Sequence, residues 1–454
     1  MFFRQIFDVR AARGLDVLNI DSQKYNKVLK IISAICVAAM ACIQLFLLFT
    51  HISEPTSDAK QYVDLAKNAY ENGVWYPSKL NVHDTYLFGN GLVNILILFL
   101  KLTGSIAPVY ALNFISVYVI LFSCCYILKK LLPGSQTVYY FIIIFSLTAS
   151  FWAEVTFVHT DLLFTAAAFA AFALLCNKKG INFILSGVLL AFAGWVRPLA
   201  IVFFVGGIWV LINNRVPLKR AAAFVLSFAL AVCTIGTLTY ISLGRFEYQS
   251  TTGSYNLIMG AFDGADGTSE YSVFEEGNSG YIAPEEKVEM TYEEIGGFYK
   301  KQAVDWIKKN PGKYLALMPK KFFVTMYSDT YACSAFYGED VKTMGTAFYK
   351  DIINKVLHKS AEPLSLADIA SIYTEAFYLL TLCLGFAAII ILLVKRRAAA
   401  FMPFIFTSAG VVGTTMLVVG GPRYHLPMLP ILIMAAALTV QCVCVKIHRR
   451  RVKK

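Results

Sequence analysis

Leu87-Phe88-Gly89-Asn90-Gly91-Leu92-Val93-Asn94-Ile95-Leu96-Ile97-Leu98-Phe99-Leu100 reads as an apolar run, and whether it crosses a membrane decides the orientation of everything after it. Further apolar runs lie near 28–50, 108–128, 138–157, 161–176, 181–196, 198–212, 220–243, 371–394, 399–419 and 425–445. If 87–100 crossed as well, Lys129 and Lys130 would face the same side as the loop holding Asp58, and each later basic cluster would be inverted relative to the basic N-terminus. The preference of Lys and Arg for cytoplasmic loops rejects that arrangement. With the run left out, Lys129/Lys130, Lys178/Lys179, Arg215/Lys219/Arg220, Lys395/Arg396/Arg397 and the tail from His448 to Arg451 share one side with both termini. The run has only about 14 residues, against the roughly 20 that a spanning helix needs, and Gly89, Gly91 and Gly104 bound it. It is expected to form a helix on the outer surface, within a first external loop at 51–107.

Composition sets the class. Of 454 residues, 57% are hydrophobic and 15% charged, too apolar a balance for a soluble chain of this length. Strand-length alternation is absent, so helices are the spanning element. The expected fold is an all-α polytopic membrane protein of about ten transmembrane helices. Its parts are a cytoplasmic N-terminus (1–27), an N-terminal transmembrane module (28–243), an external region (244–370), C-terminal transmembrane helices (371–446) and a basic cytoplasmic tail (447–454). Arg4, Arg10, Arg13, Lys24 and Lys27 precede a first run too long for a cleaved signal, which reads as a retained signal anchor. The net charge of +12 is spread over loops and termini, which fits topology and not nucleic acid. Nine of the ten cysteines, all but Cys333, fall in or beside apolar runs, with neither a disulfide framework nor metal-ligand spacing.

The external region carries turn signals at Asp263-Gly264, Asp266-Gly267 and Glu276-Gly277-Asn278. Residues 291–309 predict an amphipathic helix stopped by Asn310-Pro311-Gly312, and 314–326 an apolar surface piece broken at Pro319-Lys320-Lys321. The stretch from Asp263 to Glu270 lacks the spacing of a calcium loop, and 253–260 is no phosphate loop by pattern.

This topology brings Asp58, Asp161, Arg197 and Arg423 to the outer face, each at the end of a different span. Ionisable groups there need partners or a polar cavity. Plainer roles compete. Asp58 (or Ser57) and Asp161 (with Thr160) could be helix N-caps, Arg197-Pro198 an interfacial anchor, and His159 and His425 hydrogen-bonding interfacial residues. Arg423-Tyr424-His425 is harder to dismiss, because Gly420-Gly421 and Pro427 open the backbone around a cation.

Taken in order, these pieces resemble a family. They are Asp58 with Tyr62 and Ala66, a surface helix, Thr160-Asp161, Arg197-Pro198, Asn256-Leu257-Ile258-Met259-Gly260, Asn310-Pro311-Gly312-Lys313-Tyr314 and Arg423-Tyr424-His425-Leu426-Pro427. The set is similar to lipid-phosphate-dependent membrane glycosyltransferases of the C-type (GT-C) fold, in particular bacterial relatives of protein O-mannosyltransferases and aminoarabinose transferases. The resemblance implies a GT-C-like bundle, a catalytic base at Asp58 and a second catalytic carboxylate at Asp161. Arg197, Arg423, Tyr424 and His159 would bind the donor phosphate or substrate. The chain differs from protein mannosyltransferases in having Ala59 after Asp58, and from aminoarabinose transferases in having Tyr86-Leu87-Phe88-Gly89-Asn90 where they carry Lys-Pro-Pro.

The implied reaction suits the residues. A polyprenyl phosphate leaves readily given cations to hold its charge, while the attacking hydroxyl needs a positioned base, and no nucleotide-binding fingerprint is present. The expected function is an inverting glycosyltransferase moving a sugar from a polyprenyl-phosphate donor to a lipid, glycan or protein acceptor hydroxyl on the outer face of the cytoplasmic membrane. The alternatives are a flippase of lipid-linked sugars and a polysaccharide polymerase or ligase. Membrane lipids are expected partners and nucleic acid is not. No cofactor is required by the sequence, and a divalent metal is left open.

Overall fold

The structure, a computed structural model, describes residues 23–452 except 53, 178, 338–345, 358, 360–361 and 395–398. Arg4, Arg10, Arg13, Lys178 and Lys395 to Arg397 therefore lie outside the described residues. Among those described the fold is all helix, with no strand. Gln23–Thr50, Pro108–Leu131, Leu218–Leu243, Leu366–Val394 and the 27-residue stretch Pro422–His448 are each long and apolar enough to cross a membrane. Thr137–Leu147 and Ser150–Thr156 would make a sixth as one span, bent by 61°. These helices mark a membrane-embedded helical protein.

Five shorter apolar helices complete the set: Asn90–Thr103, Asp161–Leu175, Gly180–Val196, Ala200–Asn213 and Met402–Leu417. At about 1.5 Å per residue the first reaches only about 21 Å, short of the roughly 30 Å hydrocarbon core. Length does not set it apart, however, because Ala200–Asn213 also has 14 residues. Its packing does. Leu92, Val93, Leu96 and Ile97 are buried in a satellite cluster with Tyr62, Val63 and Ala66 of the helix Ser57–Glu71, separate from the main core. Gly91 rests on the backbone of Trp195 and Val196, where a Cβ would come within 2.9 Å of main-chain atoms. Gly89 takes φ +61° beneath the Tyr62 ring, leaving no room for a side chain. Gly89 and Gly91 thus seat the start of this helix against Tyr62 and the end of Gly180–Val196.

The main core is aromatic. Phe164, Phe169, Phe172 and Phe203 are fully buried between the Asp161–Leu175 and Ala200–Asn213 helices, with Phe404 edge-on to Phe172 at 5.5 Å. Buried Gln44 is satisfied at both ends of its amide: Nε2 donates to the Phe151 carbonyl (2.8 Å) and Oε1 accepts from the Tyr118 hydroxyl (3.0 Å). The two bonds tie Gln23–Thr50 to the second limb of the bent span and to Pro108–Leu131.

Residues 244–370, expected to be external, also contain helices. Tyr292–Lys309 starts with a capping box, Thr291 accepting from the Glu294 N–H and Glu294 from that of Thr291. Pro311–Met326 corrects an expectation, since it continues through Pro319 instead of breaking there. Pro319 is exposed, while Tyr314, Leu317, Lys321 and Thr325 recur on the buried face and hold the helix down. Asp263-Gly264 and Asp266-Gly267 are turns, with Asp266 accepting from the Thr268 N–H at 2.8 Å.

Candidate active site

Asp58, Asp161, Arg197 and Arg423 meet at one end of the bundle. Asp58 is the second residue of Ser57–Glu71, Asp161 the first of Asp161–Leu175, Arg197 the residue closing Gly180–Val196, and Arg423 the second of the 3-10 turn Pro422–Met428. Neither carboxylate belongs to an N-cap residue: Thr56 and Thr160 occupy those positions, and neither makes a side-chain capping bond. The carboxylates go to arginines instead. Arg423 Nη2 donates to Asp58 Oδ2 at 2.7 Å, and its Nε lies 3.4 Å from Asp161 Oδ2. Asp161 Oδ1 accepts from Arg197 Nη1. Arg197 therefore turns inward and does not act as an interfacial anchor.

The four charges form a chain, Asp58–Arg423–Asp161–Arg197, with two of each sign. Asp161 is completely buried, whereas the Asp58 side chain keeps 34% of its surface exposed. A carboxylate sealed between two guanidiniums holds both in place. The half-open one at the end of the chain faces a cavity.

Beside the chain lies a cavity of 340 Å³ whose wall includes Asp58, Arg197, Arg423 and Tyr424. Asp161 lies behind Arg197 and Arg423, outside the cavity wall. His159 is also outside it, buried with Nδ1 3.8 Å from Glu154 Oε2 and its ring 5.2 Å from that of Phe157. The structure thus does not bring His159 to the cavity. Tyr424 does reach it, and Arg197 stands over its ring at 5.7 Å. The buried Tyr62 phenol lines the cavity beside Asp58 and is held above its ordinary pKa, first by burial and then by the Asp58 charge, so it stays protonated.

Sequence reasoning left the far wall and Lys321 unassigned, and gave His425 a hydrogen-bonding role without its partners. The cavity's far wall comes from Gln249, Ser250, Thr252, Tyr255 and Asn256, together with Tyr271; of these only Asn256 is singled out in the sequence, within the stretch that carries the family resemblance. Behind Arg423, His425 Nδ1 lies 2.9 Å from the Thr325 carbonyl and Nε2 3.4 Å from Asp329 Oδ1, with the ring stacked on Tyr378. A carbonyl can only accept, so Nδ1 carries a proton. Lys321 is fully buried, its Nζ donating to the Gly260 carbonyl at 2.9 Å and lying 4.8 Å from the Tyr314 ring centre. Burial lowers its pKa to about 8.

A second, larger cavity of 980 Å³ opens between the Asn90–Thr103, Gly180–Val196 and Leu218–Leu243 helices. It is walled mainly by apolar side chains such as Ile95, Leu98, Phe192 and Leu230. Trp195 lines this groove and the adjacent Val196 lines the charged cavity, so the two meet at the end of one helix. Among the described residues no group of three or more His, Cys, Asp or Glu is placed to hold a metal ion.

Fold and site define a class: a helical membrane protein with a charge-lined cavity at one end of its bundle, next to an apolar groove. No family model matches the sequence, and no curated protein does. The resemblance to membrane glycosyltransferases therefore rests on its motifs.

Proposed function

We propose that the protein is an inverting glycosyltransferase that moves a sugar from a polyprenyl-phosphate donor to an acceptor hydroxyl at the outer face of the cytoplasmic membrane. The observation that carries this reading is the chain Asp58–Arg423–Asp161–Arg197, which supplies a half-exposed carboxylate and two fixed cations to one cavity. In this reading ten helices span. They are the five long ones, the bent pair counted once, and the four shorter apolar helices other than Asn90–Thr103. Both termini are then cytoplasmic, and the bundle is GT-C-like.

The donor's isoprenoid tail would occupy the apolar groove and its phosphate would meet Arg197 and Arg423, with Trp195 and Val196 at the join. The acceptor oxygen attacks the anomeric carbon from the side opposite the phosphate. The bond between that carbon and the phosphate oxygen breaks, and the hydroxyl proton passes to Asp58. One displacement inverts the anomeric configuration. The departing phosphate gains a negative charge as Asp58 loses one, so Arg423, released from a neutralised partner, is free to take up the developing charge. Asp161 keeps its charge throughout and fixes the two guanidiniums.

The test is transfer from a radiolabelled polyprenyl-phosphate sugar by the purified protein and by Asp58→Asn. The variant should fold and lose about two to four orders of magnitude in rate. Near wild-type transfer by a folded variant would remove Asp58 as the base. Movement of intact labelled lipid across the bilayer without sugar release would replace the reading with a flippase.

A further inference from the structure

The two sides of the charged cavity differ in chemistry. All three of its charged lining residues, Asp58, Arg197 and Arg423, belong to the inner chain described above, and with buried Asp161 their charges cancel. The outer wall has no charged side chain. It consists of Tyr86, Phe88, Tyr255 and Tyr271, interspersed with the small polar groups of Gln249, Ser250, Thr252, Asn256 and Ser269.

The aromatic part is braced. Phe88 stacks on Tyr62 at 4.4 Å, Tyr86 packs on Tyr255 at 4.7 Å, and Tyr255 stacks on Phe274 at 4.6 Å with Tyr299 behind both. Two backbone segments far apart in sequence are laced together beneath it. The Thr251 N–H donates to the Leu87 carbonyl and the Leu87 N–H to Thr251 Oγ1, both at 2.9 Å. Tyr271 differs, being 60% exposed on the short 3-10 turn Tyr271–Phe274 at the cavity's edge.

From this juxtaposition of braced aromatic faces and uncharged hydrogen-bonding groups, opposite an internally neutralised charge chain, we infer that the outer wall is an acceptor subsite for a neutral carbohydrate. A pyranose presents a weakly positive C–H face that suits the negative face of an aromatic ring, and equatorial hydroxyls that suit amides and hydroxyls. An anionic acceptor would find no cation on this wall, and a cationic one no carboxylate. A peptide would be expected to pair with an exposed backbone edge, but the Leu87 N–H and carbonyl are both taken by Thr251, through its hydroxyl and its N–H. The inference rests on the glycosyltransferase reading only for the word acceptor; binding of the sugar does not depend on catalysis.

The experiment is saturation-transfer NMR on the full-length protein in nanodiscs, with a panel of neutral methyl glycosides and disaccharides and, as a competitor class, a neutral Thr-containing peptide. At least one neutral saccharide should receive saturation from the protein's aromatic protons. Tyr271→Ala and Tyr86→Ala should each weaken its binding about three- to tenfold, the loss of one stacking contact. Phe49→Ala, exposed on the first helix away from the cavity, should leave it unchanged. No saccharide signal, a signal indifferent to Tyr271 and Tyr86, or a signal from the peptide alone would overturn the inference. Saccharide binding that survives while labelled polyprenyl-phosphate donors give no transfer would sink the proposed reaction and leave the carbohydrate wall standing.

Discussion

Replacing Asp161 by Asn tests the charge chain directly. The substitution keeps shape and removes one charge, leaving Arg197 and Arg423, whose side chains are 16% and 14% exposed, facing a neutral amide. Breaking a fully buried pair by removing one partner costs about 3–5 kcal/mol. Two features reduce that here: both arginines retain some contact with water, and Arg423 keeps its 2.7 Å bond to Asp58. The loss should therefore be about 3 kcal/mol, most of it through Arg197. A double-mutant cycle with Arg197→Met isolates that share. Unfolding in mixed micelles should give a coupling of about 2 kcal/mol between Asp161 and Arg197, and a smaller one when Arg423→Met replaces Arg197→Met. A coupling below about 0.5 kcal/mol would refute the claim that Asp161 fixes the guanidiniums. Loss of transfer in Asp161→Asn should exceed the loss in donor binding, since misplaced cations hurt the transition state more than the ground state.

Lys321 should make stability depend on pH. Its folded pKa, lowered by burial to about 8 from 10.5, means the unfolded chain holds the proton more tightly. Stability should therefore rise as pH goes from about 8 to 10.5, by at most about 1.4 kcal/mol per pH unit, and Lys321→Met should flatten that rise in thermal melts. Gly89→Ala forces a side chain into φ +61° and against the Tyr62 ring, and should cost about 2 kcal/mol or more in the same melts. Pro319→Ala, at an exposed position inside Pro311–Met326, should raise the melting temperature by restoring a helix hydrogen bond.

The legible features were local or topological. Gly89, Gly91 and Gly104 bound a short helix because each supplies a left-handed turn or a close approach, and both have sequence signatures. The capping box at Thr291 and Glu294 is likewise written in four residues. Counting basic clusters placed Asp58, Asp161, Arg197 and Arg423 at one end, though not who pairs with whom. Asp58 and Arg423 are 365 residues apart, and no periodicity reports such a partner. His159 looked equivalent to its neighbours because a buried and a cavity-lining histidine at a span head read alike. Lys321 was hidden inside a Pro-Lys-Lys string that reads as a breaker with surface cations. The legible clue was the recurrence of Tyr314, Leu317, Lys321 and Thr325 on one helical face. Most of the outer wall had no signal of its own, since Ser, Thr and Tyr in a loop say nothing about what they surround; Tyr86, Phe88 and Asn256 stood out only through the family resemblance.

The partnership of Asp58 with Arg423 also bears on biogenesis. Asp58 emerges early from the ribosome and Arg423 among the last tenth of the chain. Until that last segment is inserted, Asp161 and Arg197 can pair but Asp58 has no guanidinium, and the wall formed by 418, 419, 423 and 424 is missing. Without that segment the three remaining charges, Asp58, Asp161 and Arg197, sum to one negative charge beside an incomplete wall. Folding of the segment from residue 418 onward therefore both completes that wall and gives Asp58 its partner.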